Sequence, residues 1–398
     1  MCWLSRRCKR SAALGFATGL GEDMDMQPFL LARRRKSKNA HITDEQPFFL
    51  SATAGTISAM TKIRHSECVF ELTTETVLEG LLREGVQVPN SCRSGVCQSC
   101  LLRATEGTPP ASAQQGLKDS WRARGYFLSC VARPTEDLTV TMSDSDALLV
   151  SGQLVAKTWL SQTVRELRIR PESAFPYQPG QYVNLVADGS LVRSYSLASV
   201  PQLDSELILH VRILPSGRMS SWIESAQVGT TLQLRGPAGE CFYVPGRPTQ
   251  SLLLCGVGTG LAPLYGLLRD ALRQQHSGPI AIVHGARSPS GLYLRRELTE
   301  LAAQHANLTY LPVVLNLDPM DEKEETATDA AQNVTAPLVS PIDEVIRTRF
   351  PKLGGQRVFL CGDAPLVTAL RKQVFLQGCS RREILADPFL MAHPTSPT

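Results

Sequence analysis

The chain has 398 residues, 43% of them apolar, enough for two or three globular domains. Its net charge of +4 is unevenly placed: residues 1–40 hold nine Lys or Arg against three Asp or Glu, so the remainder is slightly acidic. That balance excludes a whole-chain nucleic-acid binder, and eleven cysteines, an odd number in so long a chain, fit a cytoplasmic metal site better than a secreted disulfide framework.

Residues 1–59 are basic and show no periodic apolar face. No cleavage site follows the first arginines, and Glu22, Asp23 and Asp25 count against an organelle-targeting segment. The expectation is a disordered extension, with Met60 as an alternative start. A first domain, 60–147, is predicted to hold a strand over 69–72, an amphipathic helix over 77–82, a cysteine-rich loop, and strands over 126–130 and 138–140. In the second, 148–247, Leu207, Leu209, Val211 and Ile213 alternate with Ile208, His210 and Arg212. Turn pairs such as Pro179-Gly180 separate several runs of this kind, which predicts a small antiparallel barrel.

The third, 248–398, changes rhythm. Buried-type strands over 252–255, 280–284, 308–315 and 357–361 alternate with helical stretches, predicting a parallel α/β sheet covered on both faces. Residues 251–268 carry no charge, but Gly256, Gly258, Gly260, Gly266 and Pro263 make them a strand, a glycine turn and a helix and not a membrane span. The stretch 318–341 is predicted to be a solvated loop, and the Asn333-Val334-Thr335 sequon goes unused in a cytoplasmic chain.

Cys92 and Cys97 are separated by four residues, Cys97 and Cys100 by two, and Cys130 follows after 29 more. That is the plant-type spacing for a [2Fe–2S] cluster. One loop delivers three thiolates and a separate strand the fourth. Gly95 lets the loop fold over the sulfides, and Ser94, Ser99 and loop amides can donate to sulfur. Zinc sites pair two close C-x2-C units, which the four-residue gap and the distant Cys130 do not supply. Cys2, Cys8, Cys68, Cys241 and Cys379 have no such partners and read as core or tail residues.

Arg193-Ser194-Tyr195-Ser196 can serve a flavin. Arginine pairs with diphosphate, tyrosine stacks on a ring, and a serine hydroxyl reaches a ring nitrogen. Gly217, followed by Met219 and Ser220 at a helix start, is a natural pyrophosphate cradle. Gly258, Thr259 and Gly260 link a strand to a helix, where backbone amides hold phosphates. Cys361, Gly362 and Pro365 end a parallel strand, where ligands bind in open α/β sheets.

Together these residues resemble the ferredoxin–NADP reductase superfamily over roughly 62–391, and more narrowly the reductase components of bacterial oxygenases and the deoxysugar-pathway reductases. The resemblance implies a β-grasp ferredoxin domain, a flavin barrel and a Rossmann-like nicotinamide domain. It implies FAD on Arg193, Ser194, Tyr195, Ser196, Gly217, Met219, Ser220 and Phe389, the last in the tail Asp387-Pro388-Phe389. It implies NADH, or NADPH, on Gly258, Thr259, Gly260, Cys361, Gly362 and Pro365. Cys361, Tyr195 and Ser196 would flank hydride transfer, and the cluster would pass single electrons to an acceptor protein, an oxygenase component or similar. A reductase serving a deoxysugar dehydratase and a non-catalytic redox sensor stay open. Gln98 stands where many relatives have Gly or Ser, which leaves ligation intact but alters cluster solvation. The acidic stretch after Leu317 is longer than the family pattern.

Overall fold

The computed structural model describes residues 61–142, 149–188, 191–317 and 334–390. Strands β1 (Thr61–His65) and β2 (Cys68–Leu72) form an antiparallel hairpin. Helix α1 (Val77–Arg83) follows, started by a reciprocal cap in which Thr76 accepts from the Glu79 amide and Glu79 accepts from the Thr76 amide. Its buried residues Val77, Leu78 and Leu81 pack over the sheet that β3 (Leu101–Glu106), β4 (Tyr126–Leu128) and β5 (Leu138–Met142) complete, with α2 (Asp119–Arg122) at the side. The sheet order is β2-β1-β5-β3-β4, with β1 and β5 parallel. The sequence reading missed β1, where Lys62 and Arg64 face outward and only Ile63 marks the apolar face.

The second sheet is antiparallel. It comprises β6 (Leu149–Trp159), β7 (Val164–Pro171), β8 (Tyr182–Asp188), β9 (Leu191–Ser196), β10 (Leu207–Arg212) and β11 (Thr231–Ala238), in the order β10-β7-β6-β11-β8-β9. A bridge between Leu197 and Leu209 joins the two edges, so the sheet curls into the expected barrel. Helix α3 (Arg218–Ser225) buries Met219 and Ile223 in the barrel core.

The third sheet is wholly parallel, ordered β15-β14-β13-β12-β16-β17. Its strands are β12 (Leu252–Val257), β13 (Ile280–Ala286), β14 (Leu308–Val314), β15 (Leu338–Val339), β16 (Arg357–Asp363) and β17 (Ile384–Phe389). Helices α4 (Leu261–Arg273), α5 (Arg295–Gln304), α6 (Ile342–Arg349) and α7 (Ala364–Leu376) connect them, and separate apolar cores form on the two faces of the sheet. The uncharged run resolves into β12, a glycine turn and α4, and no helix among the described residues is long and apolar enough to cross a membrane. One expectation is corrected: the stretch read as loop contains β15. The tail at Phe389 is the edge strand β17. The readings for residues 1–59 and for Asn333 lie outside the described residues.

Candidate functional site

The loop between α1 and β3 turns through left-handed conformations at Arg93, Gly95 and Gln98 (φ +51°, +77° and +56°). A position of that kind favours glycine, and Gln98 offsets its strain by donating from Nε2 to the Gly116 carbonyl at 3.0 Å. The coiling buries Cys92, Cys97 and Cys100, and Cys130 joins them. Cys130 sits in a single turn of 3-10 helix, Ser129–Val131, just beyond β4, and not on a strand as expected; the Ser129 hydroxyl holds that turn to the Cys100 carbonyl at 2.8 Å.

The thiols fall into two pairs, Cys92 with Cys97 and Cys100 with Cys130. Among the described residues no three ligating side chains converge on a single-ion position. Two pairs suit two irons bridged by sulfide, so the donor set fits a [2Fe–2S] cluster. The amides of Ser94 and Cys97 donate to Cys92 Sγ at 3.4 and 3.3 Å, the Cys92 amide points to Cys97 Sγ at 3.5 Å, and the Ser99 hydroxyl lies 2.9 Å from Cys97 Sγ. Within each pair the two sulfurs share a proton: the Cys97 side chain and the loop amides hold the Cys92 thiol well below its ordinary range and the Cys100 side chain and the Gly95 amide lower Cys130, while Cys97 and Cys100 are pushed up by their partners and by burial. The amides and the hydroxyl aimed at Cys92 and Cys97 are the donors that would support ligating thiolates.

Beside this loop opens a cavity of about 680 Å³, within the range of cofactor sites. Cys92, Val96 and Cys97 of the loop line it, together with Arg193, Ser194, Tyr195 and Ser196 of β9, Gly217, Met219 and Ser220 at the start of α3, and Phe389 of β17. Arg193 and Arg218 both reach it, and among the described residues neither forms an ion pair with a carboxylate. Burial lowers the Arg193 guanidinium's pKa, the cost an anionic ligand would relieve. Helix α3 starts with no side-chain cap, so its first amides are open to a phosphate. Ser220 Oγ accepts from the Leu214 amide at 2.9 Å and so fixes the approach to that helix. These observations fit FAD.

On the parallel sheet, α4 also starts uncapped, after a turn at Gly258 (φ +54°) with open space above it. A side chain on Gly260 would collide with the Cys361 carbonyl, and one on Gly362 with the Val257 backbone, so the turn and the end of β16 pack backbone on backbone. That cradle fits a dinucleotide phosphate. Of this set only Thr259 reaches the cavity. Gly362 lies at the strand end and Pro365 in the first turn of α7. Cys361 is 1% exposed, and its Sγ lies 3.4 Å from that of Cys241, in the core that contains Leu261 and Leu264 of α4. The thiol is therefore packed in that core with Phe359, on the same face of β16, and is not among the residues that line the cavity.

Residues 62–135 match the family described as 2Fe-2S iron-sulfur cluster binding domain, 151–243 the oxidoreductase FAD-binding domain, and 253–372 the oxidoreductase NAD-binding domain. The reductase component of the naphthalene 1,2-dioxygenase system of Pseudomonas putida is 31% identical over 79% of this chain and 93% of its own length. The chain belongs to the ferredoxin–NADP reductase superfamily, in its oxygenase-reductase branch. The reductase subunit of an aromatic O-demethylase from Amycolatopsis is 32% identical over 80% of this chain and 95% of that one. The crystal structure of the Amycolatopsis cytochrome P450 reductase GcoB superposes with a TM-score of 0.56 at 27% identity, covering 83% of this chain and 98% of the other. A reductase of this family binds a [2Fe–2S] cluster, FAD and NAD(P)H, and this chain carries the domain for each.

Sequence reasoning missed several residues of this reductase's cavity. Tyr182 of β8 lines it and donates from its hydroxyl to the Val96 carbonyl at 2.7 Å; burial keeps the phenol protonated. His210 lines it from β10, buried and held neutral, its pKa lowered to about 3 by burial. Asp387 lines it from β17 and accepts from Ser196 Oγ at 3.1 Å. Only Asp387 had a local signal, the Asp-Pro-Phe tail.

Proposed function

We propose that this reductase draws electrons from NAD(P)H and delivers them singly to an oxygenase component. When bound, FAD accepts electrons in pairs and releases them one at a time, the conversion that a one-electron cluster needs. The observation that carries the reading is the shared cavity: Cys92 and Cys97, the β9 residues Arg193 to Ser196, and Thr259 of the nicotinamide side line one wall system. The oxygenase partner is supported by the names of the relatives, each a reductase of an oxygenase or demethylase system.

In this reading residues 60–147, 148–247 and 248–398 form the cluster, flavin and nicotinamide domains. Arg193 and Arg218, with the open amides of α3, hold the FAD diphosphate. Tyr195 supports the ring, and Ser196 with Asp387 keeps a proton position beside it. Tyr182 closes the cavity on the cluster side and excludes water there. Gly258 to Gly260 seat the NAD(P)H phosphates.

Anaerobic titration of the purified protein with NADH and, separately, NADPH tests the reading. Bleaching of the flavin band together with an electron paramagnetic resonance signal from the reduced cluster is expected. Reduced cluster should then be re-oxidised by a Rieske or di-iron oxygenase component. Flavin reduction that leaves the cluster oxidised would overturn the proposal.

A further inference from the structure

One buried charge in the described structure has no carboxylate to balance it. Arg235 lies on β11 between the fully buried Leu234 and Gly236, paired with Asn184 of β8 and Leu149 of β6. Its side chain leaves the barrel toward the cysteine loop. Nη2 donates to the Gln98 carbonyl at 2.8 Å and to the Ser99 carbonyl at 3.0 Å. The residue is 6% exposed, and its Nε is buried without a hydrogen-bond partner. The groups close enough to act on its charge are Cys100, Cys97 and the Tyr182 phenol.

A guanidinium does not neutralise itself by losing a proton. Burying it unpaired is costly, because desolvation is not repaid by an opposite charge. Two carbonyl dipoles relieve part of that cost but supply no net charge. The anion that fits the place is the iron–sulfur cluster, whose thiolates Cys97 and Cys100 flank the two peptides that Arg235 grips. The cluster gains a full negative charge on reduction. A fixed cation beside it therefore stabilises the reduced form more than the oxidised one and raises the reduction potential, which is set by net charge, hydrogen bonding and solvent access. Reduction is the step in which the cluster receives its electron, so this charge would favour delivery from the flavin side.

We propose that Arg235 is the buried counter-charge of the [2Fe–2S] cluster, a positioning residue that holds the 97–100 loop against the barrel and sets how readily the cluster accepts an electron. The proposal rests on the assignment of the cluster to Cys92, Cys97, Cys100 and Cys130. The iron and acid-labile sulfide content of the wild type tests that assignment by itself.

The experiment is a redox titration of the flavin- and cluster-loaded full chain, followed by cluster paramagnetic resonance, for Arg235→Met, Arg235→Lys and Tyr182→Phe. Arg235→Met should shift the electron distribution away from the cluster by at least about tenfold, 59 mV for one electron. Arg235→Lys keeps the charge and should lie within about threefold of wild type. Tyr182→Phe keeps the ring that closes the cavity but removes the neutral hydrogen bond from the barrel to Val96 of the loop, and should also lie within about threefold. A loaded Arg235→Met protein with wild-type potential overturns the proposal. So does a Tyr182→Phe protein shifted as far as Arg235→Met, since loop looseness and not charge would then govern. If Arg235→Met assembles no cluster, Arg235→Lys decides: a loaded protein near wild-type potential supports the counter-charge. A lowered potential, or loss of the cluster with flavin retained, reduces Arg235 to a structural clamp.

Discussion

Ser196 Oγ donates to Asp387 Oδ2 across 3.1 Å, joining β9 of the flavin barrel to β17, the edge strand of the parallel sheet. Both side chains border the cavity. Asp387 is open to the cavity but removed from bulk water, and that burial pushes its carboxyl up to about 6, with the serine bond only partly offsetting it. A carboxyl in that range can hold or release a proton near neutral pH beside the reacting site.

The pH dependence of stability follows from that shift. The folded-state value lies above the ordinary 3.8, so the bound proton favours folding. The contribution is complete below about pH 4 and is lost as pH rises through about 6. Asp387→Asn stays neutral throughout. In flavin-free protein it should be more stable than wild type above pH 7 by roughly 1–2 kcal/mol, discounted for partial exposure, and equal to it near pH 4. Thermal melts across that range check the convergence.

Cys92→Ser, Cys97→Ser, Cys100→Ser and Cys130→Ser should each lose or damage the cluster, because hard oxygen suits sulfide-bridged iron poorly. NAD(P)H-dependent reduction of a two-electron dye should largely survive in all four, since the flavin receives its electrons before the cluster and the substitutions leave Arg193, Arg218 and the start of α3 untouched. Iron and sulfide analysis beside the dye assay separates the two functions. Loss of both together would show that the flavin is not held independently of the cluster.

Arg193→Ala should release flavin, because it deletes one of the three arginines, Arg193, Arg212 and Arg218, that line the cavity and among the described residues form no ion pair with a carboxylate. Flavin content after gel filtration should fall at least about tenfold, by the roughly 1.5–3 kcal/mol of a charged hydrogen bond. Cluster content should not change.

Gly260→Ala and Gly258→Ala should behave differently. At Gly260 a methyl would meet the Cys361 carbonyl and lie 2.9 Å from Gly362 Cα, which forces the phosphate turn off the end of β16. NAD(P)H affinity should fall by an order of magnitude or more while flavin stays bound. At Gly258 there is open space, and only the left-handed backbone opposes alanine, about 1 kcal/mol. Titration of each variant with NADH gives the ranking.

Cys361→Ala tests the role that the resemblance assigns to that residue. With the thiol packed against Cys241 and not lining the cavity, the change should cost about 1 kcal/mol of stability. The rate of flavin reduction should stay within about threefold. A fall of tenfold or more with NAD(P)H affinity intact, measured by anaerobic stopped flow, would show that the thiol turns to meet the ring in the reacting complex.

Much of this reductase was legible in one dimension. The cysteine spacing, the change from alternating to α/β rhythm, and the glycine turns are local signals, because a ligating loop, a half-buried strand and a helix start each write their requirement into adjacent residues. Strands β1, β3, β15 and β17 escaped notice: they are short, and few apolar residues mark them.

The sequence by itself determined which cofactor each segment can hold, since thiolate spacing and backbone freedom at glycine are properties of the local chain. Only the tertiary structure decided which groups meet. Ser196 lies 191 residues from Asp387, Arg235 lies 137 from Gln98, and Tyr182 lies 86 from Val96. Their proximity depends on the register of strands that pair across the barrel and on how the three sheets pack. A buried arginine in β11 reads like any barrel arginine until the fold sets it beside the cysteine loop. Cys361 shows the converse: its place at a strand end is plain from the sequence, but strand alternation and core packing decide which way its thiol points.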